Sequence, residues 1–110
     1  MPQIAVDHSA PLDRRGFALA LHALLAEATG VPAAACTTRF RRVEEAFTGA
    51  GTAERPVTHV DIVLRYGQHD DAKRRISKAV LALLRGHLAP PGDARLSVEI
   101  RDFENSYVEG

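Results

Sequence analysis

An apolar pattern occurs twice in this sequence at a fixed separation, and it limits the folds open to the chain. Residues 20–25 read Ala-Leu-His-Ala-Leu-Leu and residues 79–84 read Ala-Val-Leu-Ala-Leu-Leu, an offset of 59 (83 minus 24). Both stretches have helical spacing, and each is flanked by stretches with strand composition. The chain is therefore interpreted as a duplicated β-α-β unit. Two such units side by side predict an α+β fold, with a four-stranded sheet and both helices on one face.

The four predicted strands are short, and apolar positions recur along them with a period of two. The first three cover residues 3–8, 36–43 and 57–66, and in the fourth Leu96, Val98 and Ile100 alternate with polar residues. The third is the longest, so we expect it to be central in the sheet.

Each predicted helix carries one apolar stripe. The first helix opens with Pro11 in its first turn and ends at Gly30. The second is capped by Asp70 or Asp71 and is terminated by residues 89–92, Ala-Pro-Pro-Gly. The stripes consist of Phe17, Leu21, Leu24, Leu25 and Ala28 in the first helix, and of Ile76, Ala79, Val80, Leu83, Leu84 and His87 in the second.

Composition narrows the class of protein. With 110 residues, the chain fits a single domain spanning 1–110. Its 14 basic and 14 acidic residues cancel, which argues against a nucleic-acid or anionic-membrane surface. Cys36 is the single cysteine, so neither a disulfide framework nor metal-ligand spacing is expected. No apolar stretch approaches about 18 residues. We expect a cytoplasmic protein with no membrane partner.

Pro2 is a candidate catalytic base. A proline after Met1 is commonly exposed by removal of the methionine, which leaves a secondary amine at the start of a strand. An α-amino group titrates near about 7.7 to 8.0, and burial beside cations lowers that pKa further. Many unrelated proteins also begin Met-Pro, and the alternative is a plain strand-initiating residue. On the second strand, Arg39 and Arg41 share one face by alternation, and a local cluster of arginines leaves binding of specific anions possible in a neutral chain.

Several of these segments together resemble a known family. They are Pro2 opening a strand, the Arg-Phe-Arg-Arg-Val segment at 39–43, His59 in the third strand with Gly67 after it, and Leu-Ser-Val-Glu-Ile at 96–100. Across nearly the whole chain, they resemble 5-carboxymethyl-2-hydroxymuconate isomerase, in the tautomerase superfamily. The resemblance implies the duplicated β-α-β fold, assembled as a homotrimer whose sheets line a central barrel.

The resemblance also implies an activity and roles for three residues. The activity is that of an isomerase of aromatic catabolism, a cofactor-free tautomerase acting on a 2-hydroxymuconate-like enol carboxylic acid. Pro2 matches the acid/base position. Arg39 and Arg41 match the paired arginines of the family's Ile-Arg-Ser-Arg-Val segment, which hold the substrate carboxylate. No metal and no cofactor are implied.

One turn departs from the family pattern. The family usually continues after its third strand with a Gly-Ala-Gly-Arg-Ser type turn, whereas residues 67–71 read Gly-Gln-His-Asp-Asp. An acidic residue stands where a cation is expected, which would weaken binding of a dicarboxylate. The departure favours an alternative function, that of a non-catalytic tautomerase-fold oligomer or small-anion binding module. A further alternative is a ferredoxin-like regulatory domain, which would form dimers.

Individual candidates also have structural interpretations. Arg41 is alternatively a surface or interface ion pair with Glu44 or Glu45 of a neighbouring subunit. His8 and His59 are more simply explained as structural histidines than as site residues.

Overall fold

The computed structural model describes residues 2–53, 55–65, 68–88 and 93–110. In chain order the elements are β1 (Gln3–His8), α1 (Arg14–Thr29), a short 3₁₀ turn (Ala33–Ala35), β2 (Thr37–Arg42), β3 (Val57–Leu64), α2 (Asp70–Arg85) and β4 (Arg95–Asp102). The predicted order of strands and helices is confirmed. The predictions for Met1, Tyr66, Gly67 and residues 89–92 lie outside the described residues.

The four strands form one mixed sheet with the order β2-β1-β3-β4. β1 pairs with β2 and β3 pairs with β4 in parallel, while β1 and β3 are antiparallel at the centre. The two strands of each β-α-β unit are therefore neighbours. In a ferredoxin-like domain each unit is split by a strand of the other, so that alternative is wrong. β3 is central as predicted. It is not the longest strand, because β3 and β4 each have eight residues.

The duplicated pattern forms the core. Each helix buries three residues, and the two sets keep the offset of 59 found in the sequence (76 minus 17): Phe17, Leu21 and Leu25 in α1, and Ile76, Val80 and Leu84 in α2. They pack in one cluster with alternate strand residues, among them Ile4, Val6, Val60 and Ile62. Burying a side chain of this size contributes about 1.5 to 3 kcal/mol. Both stripes are narrower than predicted, because Ala28 and Ala79 are exposed at their edges.

The helix ends correct two boundary predictions. α1 begins after Asp13, whose side chain accepts a hydrogen bond from the Gly16 backbone N–H, so the prediction that Pro11 opens the helix is wrong. Gly30 ends α1 with φ +78°, as predicted, because glycine adopts this left-handed conformation without a Cβ clash. The prediction of an aspartate cap on α2 is also wrong. His69 is the N-cap without a side-chain bond, and the two aspartates occupy the first turn.

Neither helix in the described part of the chain has the length and apolar character needed to cross a lipid bilayer.

A hydrogen bond between His22 and Thr38 joins α1 to β2. His22 Nε2 lies 2.8 Å from Thr38 Oγ1. Burial lowers the pKa of His22 below its ordinary value because it disfavours the charged imidazolium. The folded state therefore favours neutral His22.

We expect Leu21→Ala to lower the free energy of unfolding by about 2 to 5 kcal/mol, since it leaves a cavity in the shared core. Leu19→Ala on the same helix is the matched control, because Leu19 is 56% exposed, and it should change the value by less than about 0.5 kcal/mol. Urea denaturation followed by circular dichroism measures both. Equal losses in the two variants would contradict the described core.

The lowered pKa of His22 predicts a stability that falls in acid. Between the ordinary pKa of about 6.5 and the lower folded pKa, the unfolded chain binds more protons. The contribution of neutral His22 to the free energy of unfolding is therefore fully present above the pKa of the unfolded chain. It is lost as the pH falls through the pKa of the folded chain. The melting temperature of His22→Gln should fall less than that of the unmodified chain between pH 7.5 and 5.5. His69→Gln serves as the control, and a fall in His22→Gln equal to the unmodified chain's would refute the prediction.

Candidate active site

Pro2 lies at the start of the central strand pair. It directly precedes β1 and shares the core side with Ile4 and Val6, because side chains alternate along a strand. Its side chain is less than 2% exposed, and its carbonyl accepts a hydrogen bond of 3.3 Å from the Thr37 N–H. The antiparallel register pairs Gln3 with Val63. Pro2 is therefore next to the end of β3.

Beside Pro2 is a cavity of about 250 Å³. Four parts of the fold build it: the start of β1, the end of β3, the segment that follows α1, and the residue two positions before α2. Its wall is mostly apolar. The described residues lining it are Pro2, Thr29, Val31, Pro32, Ala35, Leu64, Arg65 and Gln68. Among these, Arg65 is the single charged residue, and its side chain is exposed to solvent.

The segment after α1 is held in place by the helix cap. The Gly30 N–H donates to the Ala26 carbonyl and the Val31 N–H donates to Thr29 Oγ1 at 3.3 Å. Thr29 Oγ1 in turn donates to the Leu25 carbonyl at 2.7 Å. These bonds anchor the Val31 backbone to the end of the helix, which fixes that part of the cavity wall.

Arg39 and Arg41 lie elsewhere within the chain. Both are on the sheet face opposite the helices, which we call the open face, and neither lines the Pro2 cavity. Arg39 Nη1 donates to Gln3 Oε1 at 2.9 Å. Arg41 forms an ion pair with Asp7, with Nε at 2.6 Å from Oδ1 and Nη2 at 3.3 Å from Oδ2. Their predicted role in substrate binding stays a prediction. Within one chain, the structure does not bring them together with Pro2.

Further cross-strand pairs make the open face polar. Arg101 Nη2 lies 3.0 Å from Asp61 Oδ2, and this hydrogen bond, followed by the carboxylate's charge, raises the pKa of Arg101. His59 Nδ1 lies 2.7 Å from Ser97 Oγ. His59 is therefore a partner of the neighbouring strand, in agreement with its structural interpretation.

Arg65 and Gln68 are polar residues of the cavity that were not predicted from the sequence as site residues. Arg65 falls within the predicted third strand at 57–66, but only the β1–β3 register places the end of that strand beside Pro2. In the altered turn, Gln68 lines the cavity, whereas Asp70 and Asp71 begin α2 and do not line it. The unusual turn thus contributes a neutral amide to the wall.

Two other reactive side chains have structural roles. His8 is buried, with Nδ1 3.0 Å from the Ala10 carbonyl, and its Nε2 accepts from Arg14 Nε at 3.0 Å. Since a carbonyl only accepts, Nδ1 is the donor in the bond to Ala10, and both ring nitrogens are engaged within the chain. Burial raises the pKa of the Cys36 thiol, which opposes formation of a nucleophilic thiolate. Within residues 2–53, 55–65, 68–88 and 93–110, no group of three or more His, Cys, Asp or Glu residues is suited to a metal ion.

A second cavity, of about 320 Å³, lies beyond the other end of β1, and Glu44, Glu45 and Arg55 contribute to its wall. It contains none of the predicted site residues. The candidate active site is therefore the smaller cavity at Pro2.

Comparison with solved structures identifies the fold. The chain is similar to a 5-carboxymethyl-2-hydroxymuconate isomerase from Deinococcus radiodurans R1, with a TM-score of 0.78 and 17% identity over 99% of this chain and 87% of that one. It is also similar to a macrophage migration inhibitory factor-like protein from Entamoeba histolytica, with a TM-score of 0.73 and 18% identity over 99% and 95% of the chains. A fused 4-OT described as a symmetric trimer gives a TM-score of 0.74 and 10% identity over 96% and 90%.

No family model and no curated protein matches the sequence. The structural comparisons establish that the chain shares the fold of these proteins, and at the level of fold they confirm the resemblance drawn from the sequence.

The exposed ion pair on the open face predicts a small effect on stability. The side chain of Arg41 is 67% exposed and that of Asp7 is 36% exposed, so solvent and salt screen their attraction. For a chain whose open face is exposed to solvent, Arg41→Gln should lower the free energy of unfolding by less than about 1 kcal/mol at 0.15 M salt, and by less still at 1 M. Urea denaturation at both salt concentrations checks this. A loss of several kcal/mol that is independent of salt would mean that the pair is buried, for example by another subunit.

Proposed function

We propose that this protein is a cofactor-free tautomerase, in which Pro2 moves a proton and Arg65 holds the carboxylate of an enol acid. One observation supports this above the others: Pro2 is buried against a small, mostly apolar cavity whose wall includes one guanidinium. The shared fold with an isomerase and with a 4-OT is consistent with it.

The chemistry requires a free secondary amine at Pro2. In an apolar site beside Arg65, the charged form of that amine is disfavoured twice, by burial and by a like charge. Both effects favour the neutral amine, which is the form that accepts a proton. The nitrogen accepts the enol hydroxyl proton as the C–O bond becomes a carbonyl, and it returns a proton to carbon. The double bond shifts, and no atom is gained or lost.

Arg65 complements that nitrogen. A guanidinium binds a carboxylate through two parallel hydrogen bonds, which orients the substrate relative to Pro2. It also stabilises the negative charge that spreads from the enolate toward the carboxylate. Because the side chain is exposed on one side, an anion reaches it from solvent.

We further propose a homotrimer, as in the fused 4-OT described above. Association through the open face would bring Arg39 and Arg41 against a neighbouring subunit, which is how they would join a site that they do not line within one chain. Light scattering coupled to size-exclusion chromatography measures the assembly, and a monomer at micromolar concentration would contradict it. The cytoplasm as location stays a prediction.

Pro2→Ala should reduce ketonisation of phenylenolpyruvate by at least about 100-fold, because general acid–base groups contribute about 10² to 10⁴ in rate. The intact mass of the purified protein is measured first, since the amine exists only in molecules without Met1. Arg15→Gln, an exposed substitution on α1, is the control and should retain full activity. Unchanged activity in Pro2→Ala, with Met1 removed from the unmodified protein, would refute the catalytic role.

The alternative function is that of a small-anion binding module. The Arg65 guanidinium would bind a carboxylate whether or not the Pro2 nitrogen is free. Retention of Met1 in native protein, together with carboxylate binding and no turnover, would favour this alternative.

A further inference from the structure

We propose that two aromatic residues in the segment after β4, Phe103 and Tyr107, position Arg65 for the carboxylate of the substrate. The inference rests on the proposed function, in which Arg65 holds that carboxylate. It adds a pair of positioning residues that do not line the Pro2 cavity. They act on the substrate through Arg65 and not by touching it.

The segment after β4 is attached to the end of β3, directly before Arg65. The Phe103 N–H donates to the Leu64 carbonyl at 2.9 Å. One residue earlier, Asp102 forms an ion pair with Lys73 of α2, with Nζ 3.3 Å from Oδ1, and the Lys73 side chain is only 19% exposed. These two contacts hold the start of the segment against the strand end that leads into Arg65.

The two aromatic rings pack together over the open face at this end of the sheet. Their centroids are 4.1 Å apart, and the Tyr107 N–H donates to the Glu104 carbonyl at 3.0 Å, which turns the chain back toward Phe103. Both residues line a cavity together with Val63. Val63 is buried, whereas the other side chains of β3 on the open face are half-buried. The aromatic pair therefore covers the end of β3.

Arg65 has few other restraints. No ion pair or side-chain hydrogen bond to another residue of the described ranges holds its guanidinium, and a free arginine side chain loses many rotamers when it binds a ligand. Partial burial, followed by the Glu109 carboxylate, raises the pKa of Tyr107, and the charges of Arg65 and Arg39 oppose that rise. The phenol is therefore near both guanidinium groups. Arg39 is already held by its bond to Gln3, so Arg65 is the cation whose freedom the ring restricts.

The test measures the coupling between Tyr107 and Arg65. Hydrocinnamate, an unreactive carboxylic acid, is titrated by isothermal calorimetry, and we expect Tyr107→Ala to weaken its binding by about five- to tenfold. In the Arg65→Gln background the same change should cost less than about twofold, because the guanidinium to be positioned is absent. Tyr107→Phe keeps the ring and should bind within about twofold of the unmodified protein. Val108→Ala, at a side chain that is 86% exposed, is the matched control and should have no effect.

A second variant and a kinetic measurement separate positioning from a general structural role. Phe103→Leu keeps an apolar side chain over Val63 but breaks the ring pair, so it should weaken binding as much as Tyr107→Ala does. In protein without Met1, both variants should raise KM for phenylenolpyruvate and leave kcat within about twofold, since the bound carboxylate itself orders the guanidinium. Melting temperature and light scattering are compared for all variants. Loss of fold or assembly in both would overturn the inference, because the pair would then be a structural contact.

The outcomes distinguish failure of this inference from failure of the proposed function. If the enol is not ketonised but Tyr107 and Arg65 are coupled in binding, catalysis is refuted and the positioning role stands. If Tyr107→Ala costs the same with and without Arg65, or loses its effect in Arg39→Gln instead, the inference is overturned and the function stands. An equal loss in Tyr107→Phe and Tyr107→Ala also overturns it. If Arg65→Gln binds hydrocinnamate as the unmodified protein does, both proposals for Arg65 are wrong.

Discussion

The antiparallel pairing of β1 with β3 is the contact on which the rest of the structure depends. Each β-α-β unit makes only a parallel pair of strands, and this central pairing joins the two pairs into one sheet. It also sets the register that places Pro2 next to Leu64 and Arg65. A shift of one residue would turn the apolar side chains of β1 away from the helices. Core packing therefore fixes the geometry of the cavity.

The two faces of the sheet differ in composition and in their contribution to stability. The helix-covered face is filled by the two repeated triplets of helix residues and by alternate strand residues, so it provides most of the apolar burial. The open face is held by polar pairs such as Asp7–Arg41 and Asp61–Arg101, which are partly exposed and contribute little stability each. The Pro2 cavity lies where the apolar side meets solvent. A proline there is buried, while an anion still has access to Arg65.

The predictions from sequence succeeded where the signal is local. Period-two alternation identified all four strands, and Gly30 identified the end of α1, because a left-handed residue favours glycine regardless of distant contacts. Helix starts were less accurate. Asp13 caps α1 through its own side chain, and the preference of aspartate for the N-cap position is a local signal that the prediction from Pro11 left out. The N-cap of α2 is His69, whose side chain makes no capping hydrogen bond, so the residue type at this position gave no signal for the start of the helix.

The sequence by itself determined the duplicated unit, the residues that form the core, and the position of Pro2 at the start of a strand. These follow from spacing along the chain. Only the tertiary structure decided which cation accompanies Pro2, since Arg65 directly follows β3, more than sixty positions from Pro2 in the chain, and is brought near by pairing across the sheet. Arg39 and Arg41 share a strand that is parallel to β1, yet their side chains point to the other face. Spacing specifies which residues share a face of one strand, but the register between strands specifies which faces and ends meet.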